Sequence, residues 1–127
     1  MALTGPRNTT ELKPVTRQFT AAGIIYSGGL VAIKTTDGTA VAASDSADLK
    51  VVGRADNNAV SNGTINTECG CFLFENDDTN GFTDGDIGAT AYVKDDETVC
   101  TVAGSSNSIV AGTVFKIEDD SVWIIIK

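Results

Sequence analysis

From Gly29 onward, apolar residues come in short runs separated by Gly, Asp, Asn and Ser, and nowhere does an apolar stripe recur at helical spacing. Leu30–Lys34 and Thr39–Ala42 flank Thr35-Thr36-Asp37-Gly38, a hairpin signal because Asp-Gly supplies the positive φ that tight turns need. Leu49–Ala55 reads as a further strand containing Gly53, and Thr64–Glu75 as one long strand bent at Gly70. Ala89–Lys94 and Thr98–Val102 flank Asp95-Asp96-Glu97, and Ile109–Ile117 and Val122–Ile126 flank Glu118-Asp119-Asp120-Ser121. A single helical turn is expected near Thr83–Ile87. The pattern predicts an all-β fold, a small sandwich or barrel of short antiparallel strands.

The first stretch differs. Pro6 and Pro14 both fall there, and Asn8-Thr9-Thr10-Glu11 is polar and unpatterned. Val15, Arg17 and Phe19 alternate with Thr16, Gln18 and Thr20, which suits a short strand at a sheet edge behind Pro14. The expected organisation is an extended N-terminal arm over residues 1–22, mobile until it docks, followed by a single β-rich domain over 23–127. Leu12, Val15, Arg17 and Phe19 are the arm's candidate anchors, acting by strand addition to a partner.

An internal echo runs through the rest. Val31-Ala32-Ile33-Lys34 matches Ala91-Tyr92-Val93-Lys94. Thr39-Ala40-Val41 matches Thr98-Val99-Cys100, and Val51-Val52-Gly53 matches Val110-Ala111-Gly112. Each half therefore reads strand, acidic turn, strand, polar loop, then a strand carrying a glycine. Two similar three-strand units packed together are expected.

Charge and candidate chemistry narrow the function. The 127 residues hold nine basic and seventeen acidic side chains, net −8. Before residue 21, three basic residues face Glu11 alone, so the arm is weakly positive and the body strongly acidic. Such a body repels nucleic-acid phosphates. No apolar run is long enough to span a membrane, and the start lacks the apolar stretch of a signal peptide, so synthesis in the cytosol is expected. The absence of His removes the commonest general base and metal ligand. The acids cluster in turns, where solvation keeps carboxylates ordinary. No catalytic, cofactor or metal residues are assigned. Cys69 and Cys71 would share one face of a strand, and with Cys100 read as small hydrophobes. Asn76-Asp77-Asp78-Thr79-Asn80-Gly81 imitates a calcium loop, with oxygen donors at positions 1, 3, 5 and 9 and Gly at 6. Position 12, however, is Ile87 and not the bidentate Glu.

Val122-Trp123-Ile124-Ile125-Ile126 is apolar on both faces. Such a strand is either covered on both sides within its own domain or meets another subunit.

Over Ile24–Lys127 the order and spacing of these segments resemble the small capsid decoration, or cement, proteins of tailed bacteriophages. The resemblance is carried by Leu30–Val41, Val51-Val52-Gly53-Arg54-Ala55-Asp56, Thr83-Asp84-Gly85-Asp86-Ile87-Gly88, Ala91–Val99, Ile109-Val110-Ala111-Gly112-Thr113-Val114 and Asp119-Asp120-Ser121-Val122-Trp123-Ile124. It implies a β-rich protein on the capsid exterior of the virion, oligomers that bridge major capsid protein subunits, and no catalytic residues. A homotrimer is expected ahead of a dimer. Two other classes share parts of the pattern. A tail or fibre subunit would have the same β-rich composition, and a calcium-dependent binding module would rest on the Asn76–Ile87 loop.

Overall fold

The computed structural model describes residues 2, 4–7 and 16–127 of the chain. Among them the protein is all-β. Its strands are β1 (Thr16–Thr20), β2 (Leu30–Lys34), β3 (Ala40–Ala42), β4 (Leu49–Ala55), β5 (Thr64–Glu68), β6 (Gly70–Asn76), β7 (Thr90–Val93), β8 (Thr98–Cys100), β9 (Val110–Glu118) and β10 (Ser121–Ile126). Single 3-10 turns sit at Asp84–Asp86, where a helical turn is expected, and at Val102–Gly104, where none is.

The strands form two five-stranded units of one topology. In the first the order is β1-β5-β4-β2-β3, and a parallel bridge from Ala21 to Ala40 brings the end of β1 back to β3. In the second, β6-β10-β9-β7-β8 closes into a barrel through a parallel β6–β8 pairing. Strand by strand, β1, β5, β4, β2 and β3 correspond to β6, β10, β9, β7 and β8. Each unit thus has one parallel contact among otherwise antiparallel neighbours, which the hairpin pattern does not reveal.

The sequence echo is therefore a structural repeat, of five strands each and not three. Gly28 and Gly88 lie sixty residues apart and both take φ +90°. Asp48 and Ser108, again sixty apart, share left-handed φ values of 64° and 52°. Gly28 and Ala55 donate to the Ala55 and Gly29 carbonyls, and Gly88 and Val114 donate to the Val114 and Ala89 carbonyls in the same pattern, at 2.8–2.9 Å. The register of β2 on β4 shifts between Val31 and Ala32, and that of β7 on β9 between Ala91 and Tyr92. Gly53 and Gly112 have one reason for being glycine: a Cβ on either would run into a backbone carbonyl, of Glu68 in β5 or Ile125 in β10.

The segment Thr64–Glu75, expected as one bent strand, is two strands in different units. The break falls at Cys69-Gly70, where Gly70 takes φ +154° and lets the chain cross from one unit to the next. The third strand of the second unit ends at Cys100, short of Val102.

The arm boundary also moves. β1 pairs with β5 along its whole length, from Thr16 opposite Glu68 to Thr20 opposite Thr64. Ala21 is buried and Phe19 packs on the first core. Residues 16–22 therefore belong to the body, because the edge strand finds its ladder partner within its own chain.

Two cores result. One lies inside the first unit, around Ile25, Val31, Ala40, Val52, Ala55 and Ile65. The larger fills the closed barrel of the second unit with Phe74, Val93, Val99, Val114, Val122 and Ile124, and also takes in Leu30, Ala32 and Ala43 from the first unit. Alternation along β2 explains the fusion: Val31 points into one core while Leu30 and Ala32 point into the other, all fully buried. A polar clamp joins the units elsewhere. The Asp45 carboxylate accepts from the backbone N–H groups of Ser106 (2.7 Å) and Asn107 (2.8 Å) and from the Asn107 side chain.

Candidate interaction surface

β10 divides the doubly apolar run between the inside and the outside of the barrel. Val122, Ile124 and Ile126 are buried in the barrel core, whereas Trp123 and Ile125 face outward and are half-buried. The outward pair does not stand alone. Opposite them on β6 are Leu73, 44% exposed, and the exposed Cys71. On β9 the neighbours are Lys116 and Thr113, and the register shift between Trp123 and Ile124 leaves Phe115 as an extra residue, 55% exposed. Cys71, Phe115, Lys116, Glu118 and Trp123 line a shallow depression there. The Trp123 indole N–H donates to the Glu118 carboxylate at 3.0 Å, which fixes the ring with its polar edge satisfied and its apolar body in view. Cross-strand neighbours of this kind form one continuous patch.

The first unit supplies an internal control. The cross-strand pairs Phe19–Ile65 and Phe74–Val122 align the two units, so Gln18, Asn66 and Glu68 occupy the places of Leu73, Trp123 and Ile125. Arg54, opposite Glu68, corresponds to Thr113, opposite Ile125. That face is polar, and Arg54 is engaged there with Asp56 (2.9 Å) and Glu68 (3.4 Å), with its guanidinium 4.3 Å from the Phe72 ring centre. The fold therefore does not require apolar residues on its outer surface, and the second unit has them for another reason.

The remaining candidates are placed as follows. Leu12 and Val15 lie outside the described residues. Arg17 donates to the Val52 carbonyl at 2.7 Å and lies 5.8 Å from the Phe19 ring centre, so both arm anchors that are described contact their own body. Cys69 and Cys71 do not share surroundings, because the bend at Gly70 separates them. The Cys69 thiol lies 3.6 Å from the Val52 carbonyl, whereas Cys71 joins the outer patch. Burial places Cys100 in the core and pushes its thiol pKa up.

In the calcium-like loop the side chains of Asn76, Asp77 and Asp86 are engaged by other groups of the protein. The Asn76 side chain holds both backbone groups of Phe82, accepting at 2.7 Å and donating at 2.8 Å. Asp77 accepts from the Asn80 N–H and pairs with Lys94 at 3.0 Å; the Lys94 partner is the main cause of its lowered pKa. Asp86 accepts from the Thr83 N–H at 2.7 Å. Among the described residues no group of three His, Cys, Asp or Glu is placed to hold a metal ion. No helix of the described residues is long and apolar enough to cross a membrane.

In comparisons with known proteins, no family model matches the chain, and neither a curated protein nor a solved structure shows significant similarity to it. Sequence reasoning reached Trp123 and Ile125 but missed Leu73, Cys71 and Phe115. Phe115 owes its outward position to the register shift in β9, which no residue pattern announces.

Proposed function

We propose that this protein is a decoration protein of a tailed-phage head, bound to the outer surface of the assembled shell and bridging major capsid protein subunits. The observation that carries the reading is the apolar outer face of β6, β10 and β9, set against its polar counterpart on the first unit. It is a surface suited to being covered. The segment order shared with cement proteins supports the same reading.

In this reading the outer face of the second barrel joins copies of the chain, as a homotrimer ahead of a dimer. The acidic turns face solvent and disfavour contact with nucleic acid. A ligand that binds the assembled shell but not its dissociated subunits stabilises the shell by mass action. Oligomers that engage several equivalent sites need only modest affinity at each.

The test is addition of the purified protein to shells that lack it. Saturable decoration and greater resistance of the particles to heat are the expected result. Bare particles at high protein concentration would refute the proposal.

A further inference from the structure

A second exposed apolar cluster lies on the first unit, where its loops meet. Ile25 and Ala59 form an antiparallel bridge, each N–H donating to the other's carbonyl at 2.9 Å, with both side chains buried. Extended backbone then turns their neighbours outward. Ile24, Tyr26 and Val60 are 60%, 66% and 67% exposed, and Tyr26 and Val60 exceed every other large apolar residue described.

These side chains stand on a rigid base. The Asn57 side chain donates to the Thr64 carbonyl at 3.0 Å and accepts from the Asn66 N–H at 2.7 Å. Asn58 accepts from the Ser27 N–H at 2.8 Å. Gly63 donates to the Val60 carbonyl at 2.9 Å across Asn62, which takes φ 70°. Loops fixed in advance lose little entropy on docking.

The segments that form the tip also carry no charge of their own. No residue from Gln18 to Ile33, and none from Asn57 to Thr67, is ionisable as an acid or base except Tyr26, in a chain of net −8. The repeat offers the contrast again: sixty residues on, Ile24-Ile25-Tyr26 becomes Asp84-Gly85-Asp86. One unit ends in apolar residues without carboxylates, and the other carries two carboxylates beside the exposed Ile87.

We propose that the Ile24, Tyr26 and Val60 tip is the surface that seats on the shell, in an uncharged apolar depression of the major capsid protein. This inference rests on the decoration reading above. The charge pattern selects the occupant. A basic partner surface would be met by the acidic turns, and an anionic membrane would repel the whole body. A neutral protein surface is met at least cost by Ile24, Tyr26 and Val60, which have no charge to desolvate.

The experiment titrates shells lacking the protein with the wild type, with Ile24→Asp/Val60→Asp, with Tyr26→Ala, and with Asp84→Ala at the equivalent acidic tip. Melting temperature and sedimentation are recorded for each. The wild type and Asp84→Ala are expected to bind alike, the double variant at least tenfold more weakly and Tyr26→Ala several-fold more weakly. Unchanged melting and unchanged oligomeric state are expected throughout. Tyr26→Ala removes only an exposed side chain, so it tests the tip even if the double variant folds poorly.

Wild-type affinity in a well-folded double variant and in Tyr26→Ala would overturn the inference while leaving decoration intact. Loss of self-association in the double variant would make the tip a contact between copies, and overturn it too. So would wild-type binding to phosphatidylcholine vesicles that the double variant loses. If the wild type itself leaves shells bare, the decoration reading fails first.

Discussion

Gln18, Asn66 and Glu68 on the first unit hold the positions that Leu73, Trp123 and Ile125 hold on the second. The ladders beneath them are alike, down to the glycine in β4 and β9 that lets the neighbouring strand approach. Inside, Ile65 and Val122 are both fully buried, and Thr67 stands where Ile124 stands. The Thr67 hydroxyl is satisfied by the Arg17 carbonyl at 3.1 Å. Apart from Thr67, the two units have thus kept the apolar character of these inner positions and diverged most at those that face outward. Divergence concentrated on one side of a shared framework reports on what that side meets, since strand pairing is held constant.

The largest expected effect separates the cores. Phe19 and Phe74 are equivalent, but Phe74 is buried in the closed barrel and Phe19 only partly covered at the sheet edge. Phe74→Ala is expected to cost about 3–5 kcal/mol in urea unfolding, and Phe19→Ala about half as much. Equal losses would mean that the two cores are equally closed.

Next comes the exchange of faces. Leu73→Gln with Trp123→Asn gives the second unit the residues of the first. Stability is expected to change by about 1 kcal/mol, because both side chains are partly exposed and one indole hydrogen bond is lost. Self-association measured by sedimentation is expected to disappear. A double variant that still associates would relocate the contact between copies.

The smallest effect concerns the clamp between units. The Ser106 N–H, aided by Asn107, holds the Asp45 carboxyl below its usual range. A carboxylate with a lowered folded pKa contributes stability that is complete above its unfolded value, about 4, and is lost as pH falls through the folded value. Stability is therefore expected to drop below about pH 4. Asp45→Asn is expected to remove part of that drop and to cost about 1 kcal/mol at neutral pH, discounted for solvent exposure. Identical acid melting curves for variant and wild type would assign the drop to other carboxylates, such as Asp77.

How much of this was legible in the residues varies by element. The strands around the Asp37-Gly38 and Asp95-Asp96-Glu97 turns were, because alternation and turn chemistry act within a few residues. The repeat was visible for the same reason, since Gly53 and Gly112 answer one local need in each unit. The sequence by itself determined the all-β class, most strand positions and the kinship of the two halves.

Only tertiary structure decided which apolar strand is covered on both sides. β2 and β10 look alike as runs, yet β2 sits between two cores and β10 shows one face to the outside. It likewise decided that Thr64–Glu75 divides between the two units, that β1 belongs to the body, and that Phe115 turns outward. The physical reason is common to all four. Local pattern fixes how a segment alternates, but the identity of its neighbours depends on contacts between residues far apart in the chain, which no window of sequence contains.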